Sequence, residues 1–334
     1  MIDWITAILP CNHDSDRLDA GFVASVNANG DPEWMVSKKL TVEGSFSSKI
    51  QIKSHKDGYI FVSGNPVKFL QGHNIFGSSD LLYIVNKFFL DLVARCDFLT
   101  PTDFQLNQVK RGDYKLSRVD INDSWHLENR NQVLSWLRAV GDSATLKHRG
   151  RGEFSGDTVY FGKKSRRWAL KCYSKGAEIN VKGRGLPSEL LSFEILDYAE
   201  KALRLEVVIR RMELVDLELD TASNWGKDTA NVLLLNYLSK LNLSDKFMLD
   251  TSIVNQMPSR LRLIYQAWAN GDDLKDIIST ASFYRNRKIF LERYGIDIGS
   301  TNRPKNGNVI PIIRVLEAVP AGIPQWAYDR NLVA

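Results

Sequence analysis

The chain has 334 residues, 44% hydrophobic and 25% charged, with a formal net charge of +5, which is enough apolar material for one large or two ordinary domains and excludes a disordered or fibrous chain. Its start, Met1-Ile2-Asp3-Trp4, meets an acid and then Pro10, unlike a signal peptide, and three scattered cysteines (Cys11, Cys96, Cys172) fit neither a disulfide framework nor a zinc cage.

In chain order, the pattern first predicts strands and turns: 3–9, 21–26, 39–42, 50–54 and 59–63, with Gly, Asn, Asp and Ser between them. A helix over 79–96 follows; Asn86, Lys87, Asp91 and Arg95 interrupt its apolar run, making it an amphipathic core helix and not a membrane span. Next come a short helix near 102–110, a strand over 114–122, and a helix over 129–140 with Gly141 as its C-terminal cap. Strands at 144–147, 158–162 and 168–174, a helix over 188–201 and a strand over 203–211 complete this part. The fold class is therefore α+β, a mainly antiparallel sheet with helices on one face. After Met212 helical patterns dominate, at 228–240, 258–268, 274–279 and 283–294, so the domains are expected to be 1–212 and 213–334.

Charge is unevenly spread. Residues 147–184 hold eleven Lys/Arg against three Asp/Glu, leaving the rest of the chain at about −3. This is the footprint of a nucleic-acid backbone site or, more plainly, a basic surface loop. Candidate DNA contacts in it are Lys147, Arg149, Arg151, Lys163, Lys164, Arg166 and Arg167.

Alternation along 167–176 places Trp168, Leu170 and Cys172 on one face and Ala169, Lys171, Tyr173 and Lys175 on the other. A phenol between two ammonium groups suits attack on a phosphodiester, since the cations hold the phosphate and favour phenolate. A half-buried strand tyrosine with snorkelling lysines fits the same pattern. Arg118, Asp120 and Asn122 share a face on their strand, as do Arg204, Glu206 and Arg210 on theirs. Asp120 and Glu206 are hard oxygen ligands suited to Mg²⁺ or Mn²⁺, or else partners in cross-strand salt bridges. His73, flanked by Gly72 and Gly77, is either a metal ligand or an ordinary polar loop residue. No Walker A loop, Gly-x-Gly-x-x-Gly, Gly-x-Ser-x-Gly or His-Glu-x-x-His occurs, which argues against nucleotide hydrolysis, dinucleotide redox chemistry and zinc proteolysis. Residues 261–294 have the form of a helix-turn-helix whose last helix carries Arg285, Arg287 and Lys288, or of two short helices with a basic solvent face.

The segments 69–77 (Phe-Leu-Gln-Gly-His-Asn-Ile-Phe-Gly), Ser117-Arg118-Val119-Asp120, 158–162, 170–178 and 309–314, in this order, resemble the filamentous-phage replication initiator family, the gene II proteins. The resemblance runs from Met1-Ile2-Asp3 to Ile323-Pro324-Gln325-Trp326, with a gene X-like C-terminal part. It implies a rolling-circle-initiator-like nuclease core and a site-specific nickase acting at the plus-strand origin of double-stranded replicative-form DNA. Such a protein stays joined to the 5′-phosphate through a tyrosine, leaves a 3′-OH for the host polymerase, and later rejoins the displaced strand. The family's nucleophile matches Tyr173, with Lys171 and Lys175 stabilising the transition state and Tyr160 as the nearest rival. Related initiators carry a His-hydrophobe-His pair, whereas this chain has Gly72-His73-Asn74, so a mixed set of His73, Asp120 and Glu206 is expected to hold Mg²⁺ or Mn²⁺. The resemblance further implies a host helicase and DNA polymerase as partners, self-association on the origin, no membrane, and the cytoplasm of the bacterial host. Arg118 and Arg204 join the DNA-contact set from the same polar face.

Overall fold

A computed structural model describes residues 1–146, 150–181, 185–242, 251–270, 272–294, 298–299 and 319–333. The strands are β1 (Ile2–Pro10), β2 (Phe22–Val26), β3 (Pro32–Ser37), β4 (Leu40–Glu43), β5 (Lys49–Lys56), β6 (Tyr59–Gly64), β7 (Lys115–His126), β8 (Thr145–Leu146), β9 (Gly150–Arg151), β10 (Glu153–Ser155), β11 (Thr158–Phe161), β12 (Trp168–Ser174), β13 (Ala202–Arg210) and β14 (Leu241–Asn242). Nine of them form one sheet in the order β10-β11-β12-β13-β7-β1-β6-β5-β4, every pair antiparallel.

One face of this sheet is apolar because alternate residues are. Leu170 and Cys172, Leu203 to Ile209 at every second position, Val119 and Ile121, and Ile5, Ala7 and Leu9 are all buried in one cluster. Helices Leu81–Arg95, Asp103–Arg111, Arg130–Ser143, Arg211–Asp216 and Thr229–Leu238 contribute their apolar sides to that cluster. Each fully buried Ile or Val contributes roughly 1.5–3 kcal/mol over an exposed one. The α+β class with an antiparallel sheet is thus observed.

Two bulges interrupt the alternation in the centre of the sheet. Ile2 faces Ile121 and Trp4 faces Asp120, so Asp3 is an extra residue in β1; Thr6 faces Arg118 and Ala7 faces Leu116, so Ser117 is extra in β7. A bulge re-aims side chains, and here it lets Asp3 and Trp4 both reach the polar face although Ile2 and Ile5 stay in the core.

Several boundaries differ from expectation for local reasons. The helix over 130–143 runs through Gly141, which serves close packing instead of a cap: a Cβ there would lie 2.2 Å from the Phe154 ring. The expected helix over 188–201 is a short 3₁₀ turn, Ser188–Leu190, followed by Phe193–Lys201, whose N-cap Ser192 accepts from the Ile195 amide. The expected strand over 21–26 is β2, and its ribbon partner β3 and helix Pro66–Gln71 are additional. The shift to helices at Met212 does not end the first core, since Leu214, Trp225, Tyr237 and Leu241 all belong to it and β14 pairs with β8.

Helices Thr251–Gln256, Ser259–Asn270, Leu274–Ile277 and Thr280–Tyr294 have a separate apolar cluster that includes Leu261, Trp268, Phe283 and Phe290. The tail over 319–333 packs in a third apolar cluster with Phe76, Ile195 and Tyr198: Trp326 meets Phe76 edge-on, the Ala321 amide donates to the Ser124 carbonyl at 2.7 Å, and Arg330 pairs with Glu194. Among the described residues no helix is long and apolar enough to cross a membrane.

Candidate active site

The polar face of the sheet carries a cavity of about 470 Å³. Its floor is a row fixed by strand register: Tyr160 on β11 opposite Lys171 on β12, Lys171 opposite Glu206 on β13, and Asp120 on β7 opposite Trp4 on β1. Tyr173, two residues beyond Lys171 on β12, completes it. The wall comes from the loop after β6 (Asn65, Lys68, Asn74), the β10–β11 turn (Ser155 to Thr158) and the helix Lys175–Ile179 with Glu178.

The three central strands therefore place their charged residues side by side. Arg118 holds Asp120 with two bonds, Nε to Oδ1 at 2.8 Å and Nη2 to Oδ2 at 2.6 Å. Lys171 Nζ lies 2.5 Å from Glu206 Oε1 and 3.9 Å from Asp120 Oδ2, bridging the two carboxylates. Asp120 and Glu206 are also within hydrogen-bonding reach of each other. Carboxylates that close share a proton or a cation. Burial and the Asp120 charge push Glu206 above its ordinary range against the pull of Lys171.

The Tyr173 hydroxyl donates to Glu206 Oε2 at 3.2 Å. It is buried, not set on an open face, and burial together with Glu178 and Glu206 raises it well above an ordinary phenol. The expectation that two lysines favour phenolate is thereby overturned, because both ammonium groups are engaged by carboxylates. Lys175 is not on the strand at all: Ser174 ends β12 and caps the next helix, accepting from the Ala177 amide at 3.2 Å. Lys175 is buried, donating to Glu178 at 2.6 Å and to Asn74 Oδ1 at 2.7 Å.

His73 does not join Asp120 and Glu206. Gly72 caps helix Pro66–Gln71 in the left-handed region (φ 81°), turning the chain so that His73 enters the interior and Asn74 reaches the cavity. His73 Nδ1 accepts from the Ile75 amide at 3.2 Å, and its ring bonds the Leu332 backbone. Burial and Lys175 lower it to about 4, as expected of a neutral structural imidazole. Arg204 is likewise corrected as a DNA contact. It is wholly buried and donates to Ser124 Oγ and to the carbonyls of Asn74 and Ile75, where it fixes the loop that carries Asn74.

Of the other cationic candidates, Lys163, Lys164 and Arg166 are exposed on the loop after β11, and Arg151 is exposed in β9. Arg167 is held by Glu213 and Asp216. Arg285 and Lys288 are exposed and Arg287 half-buried on helix Thr280–Tyr294. Lys147, Arg149 and the segment 309–314 lie outside the described residues.

Sequence reasoning missed Asp3, Asn65, Asn74 and Glu178. Asp3 Oδ1 accepts from Asn65 at 2.7 Å and from Asn74 at 2.8 Å, while burial and the Glu206 charge raise its carboxyl. Strict alternation puts Asp3 in the core with Ile5 and Ala7, so only the bulge reveals it. Asn74 was within reach of the sequence, next to a helix-ending glycine.

The charged centre of the sheet thus presents a buried tyrosine to a carboxylate pair, with an exposed basic loop following β11. Comparison with known proteins gives the family. Residues 1–228 match the family model for the N-terminal part of the phage replication-associated protein, the gene II product, and residues 249–333 match the model for its C-terminal part. The chain is 41% identical over 343 residues to the replication-associated protein of Enterobacteria phage I2-2, covering 100% of this chain and 97% of that protein. It is 28% identical over 214 residues to the replication-associated protein of Salmonella phage IKe, covering 54% and 49%, and 26% identical over 190 residues to that of Enterobacteria phage M13, covering 52% and 44%. A solved rolling circle replication initiator from Geobacillus stearothermophilus aligns over 77% of this chain and 91% of its own, at 13% identity and a TM-score of 0.33. The chain belongs to the filamentous-phage gene II family of replication-associated proteins.

Proposed function

We propose that the chain is a rolling-circle nickase that opens the plus-strand origin of double-stranded replicative-form DNA by moving one phosphate onto Tyr173. The observation that carries this reading is the Tyr173 hydroxyl donating to Glu206 in a cavity where Lys171 bridges Glu206 and Asp120. The Tyr173 oxygen forms a bond to phosphorus and the bond to the 3′-oxygen breaks. The phenolic proton passes to Glu206 Oε2, and water protonates the departing oxygen. Because the raised phenol does not ionise by itself, Glu206 acts as the base and Tyr173 as the nucleophile. Lys171 and Arg118 stabilise charge on the phosphate. Lys175 positions Glu178 and Asn74. The phosphotyrosine bond keeps the energy needed to rejoin the strand ends without ATP.

The cavity lining supports a cation. Among the described residues that line it, Asp3, Asp120, Asp157, Glu178 and Glu206 outnumber Lys68, Arg118 and Lys171, with Glu178 also paired to the buried Lys175, and this acidic excess supports added positive charge beside an entering phosphate. Among the described residues no three His, Cys, Asp or Glu side chains stand close enough to hold an ion by themselves. Mg²⁺ and Mn²⁺ suit the site that remains, since Mg²⁺ commonly takes one or two carboxylates plus substrate phosphate and water. Asp120 would hold it, without His73 and with Glu206 left free as the base, and it would polarise the scissile phosphate.

Arg151, Lys163, Lys164 and Arg166 supply the basic surface for the DNA backbone, and Arg285, Arg287 and Lys288 a second one on the C-terminal helices. Host helicase and polymerase, self-association on the origin and work in the bacterial cytoplasm complete the proposal. Incubating the protein with supercoiled origin plasmid and Mg²⁺ or Mn²⁺ tests it. Conversion to open circles with parent protein and none with Tyr173→Phe is expected; unchanged nicking by Tyr173→Phe would remove the tyrosine mechanism.

A further inference from the structure

Two aromatic side chains flank the charged row, and the phosphate chemistry uses neither. Tyr160 on β11 and Trp4 on β1 both line the cavity and both are half-buried. Four strand spacings separate them, about 19 Å across the sheet, with Lys171, Glu206, Asp120 and Arg118 between. Each ring has a cation over it: Lys163 Nζ lies 4.8 Å from the Tyr160 centroid and the Arg118 guanidinium 5.4 Å from that of Trp4. The Trp4 Nε1 donor is buried without a hydrogen-bond partner among the described residues and, being closed off from solvent, offers no donor to the cavity.

Aromatic faces at both ends of a cation-bearing strip form the pattern that holds unpaired nucleic acid, with bases stacked on rings and phosphates on the charges between. The cavity also takes a nucleotide or two and not a double helix. We infer that the scissile strand crosses this sheet as a single strand, with one base upstream and one base downstream of the cleaved phosphate, a few nucleotides apart, stacked on Tyr160 and Trp4. Trp4 reaches this face by ordinary alternation with the buried Ile5, and the bulge adds Asp3 next to it. Tyr160 is then a positioning residue and not a second nucleophile. The inference rests on the nickase reading for the place of the scissile phosphate.

The test uses full-length protein carrying Tyr173→Phe to block turnover, and a labelled single-stranded origin oligonucleotide followed by fluorescence anisotropy. Tyr160→Ala and Trp4→Ala should each weaken binding about ten-fold, and Tyr160→Phe and Trp4→Phe should recover most of that loss. Without any change at positions 4 or 160, abasic sugars on either side of the scissile phosphate should weaken binding about ten-fold, whereas abasic sugars far from it should not. Binding within two-fold of the parent for both alanine variants and for both flanking abasic strands would overturn the stacking inference. In otherwise unaltered protein, Tyr160→Phe that still nicks but no longer rejoins strands would overturn the positioning role in favour of a second nucleophile. If the parent nicks supercoiled origin but does not bind the single-stranded oligonucleotide, the inference fails and the nickase reading stands. Absence of nicking by the parent removes the nickase reading itself.

Discussion

The two faces of the central sheet follow different rules. On the apolar face, residues two apart along β12, β13 and β7 enter one core, and helices laid over them keep it dry. On the polar face, the same alternation along β7, β12 and β13 sets out Arg118, Asp120, Lys171, Tyr173 and Glu206, and breaks in regular structure add the residues around them: a bulge at Asp3, a cap at Ser174 before Glu178 and a left-handed glycine before His73 and Asn74. Stability is therefore carried mainly by the apolar face, and the proposed chemistry belongs to the polar one.

Substitutions on the two faces should separate these roles. Tyr173→Phe removes the attacking oxygen while keeping the ring, so nicking should fall by at least about a thousand-fold with the melting temperature little changed, as a plasmid assay and calorimetry would show. Ile121→Ala, on the opposite face, should do the reverse, costing about 2–5 kcal/mol in urea unfolding while nicking per folded molecule persists. Equal stability losses from the two would break the division.

Glu206→Gln should slow nicking about a hundred-fold and remove the acid limb of the pH–rate profile. In the parent that limb lies above the 4.5 of an ordinary glutamate, because burial and Asp120 raise the carboxyl and it must be ionised to accept the phenolic proton. A limb that survives in Glu206→Gln assigns the base elsewhere.

His73 tests the boundary between scaffold and site. Its folded value of about 4 lies below the ordinary 6.5, so the unfolded chain takes up the proton first as pH falls. The stability this depression contributes is present above 6.5 and is lost on acidification toward 4, roughly 3 kcal/mol in all. His73→Gln should lack that share of the acid loss in unfolding curves, while the Mn²⁺ concentration for half-maximal nicking stays at the parent value. A strong shift in Mn²⁺ requirement would restore His73 as a ligand. Smallest is Gly141→Ala: helix propensity alone favours alanine by up to about 1 kcal/mol, but the 2.2 Å approach of Phe154 should make it destabilising by about 1–3 kcal/mol.

The residues set by alternation were readable from sequence because alternation needs no tertiary information: β12 runs over the predicted 168–174, and Arg118, Asp120, Lys171, Tyr173 and Glu206 share one cavity as their parity requires. Position 175 failed because a serine that can continue a strand can also cap a helix, and only the backbone geometry decides. The motif at 72–74 drew notice to the right loop and the wrong side chain, since glycine's φ sets which neighbour turns inward. Asp3 was hidden by one inserted residue that reverses the parity of everything before it. Arg204 looked like a DNA contact from its face, but a loop packed over that end of the sheet supplies the carbonyls that satisfy it.

The most direct measurement is to trap the protein on a labelled origin strand, digest it with protease and identify the peptide that retains the nucleotide by mass spectrometry. The 5′-phosphate on Tyr173, in the β12 peptide, is the expected result. The phosphate on Tyr160, or efficient nicking with no protein-linked strand at all, would contradict the assignment of Tyr173 as the nucleophile.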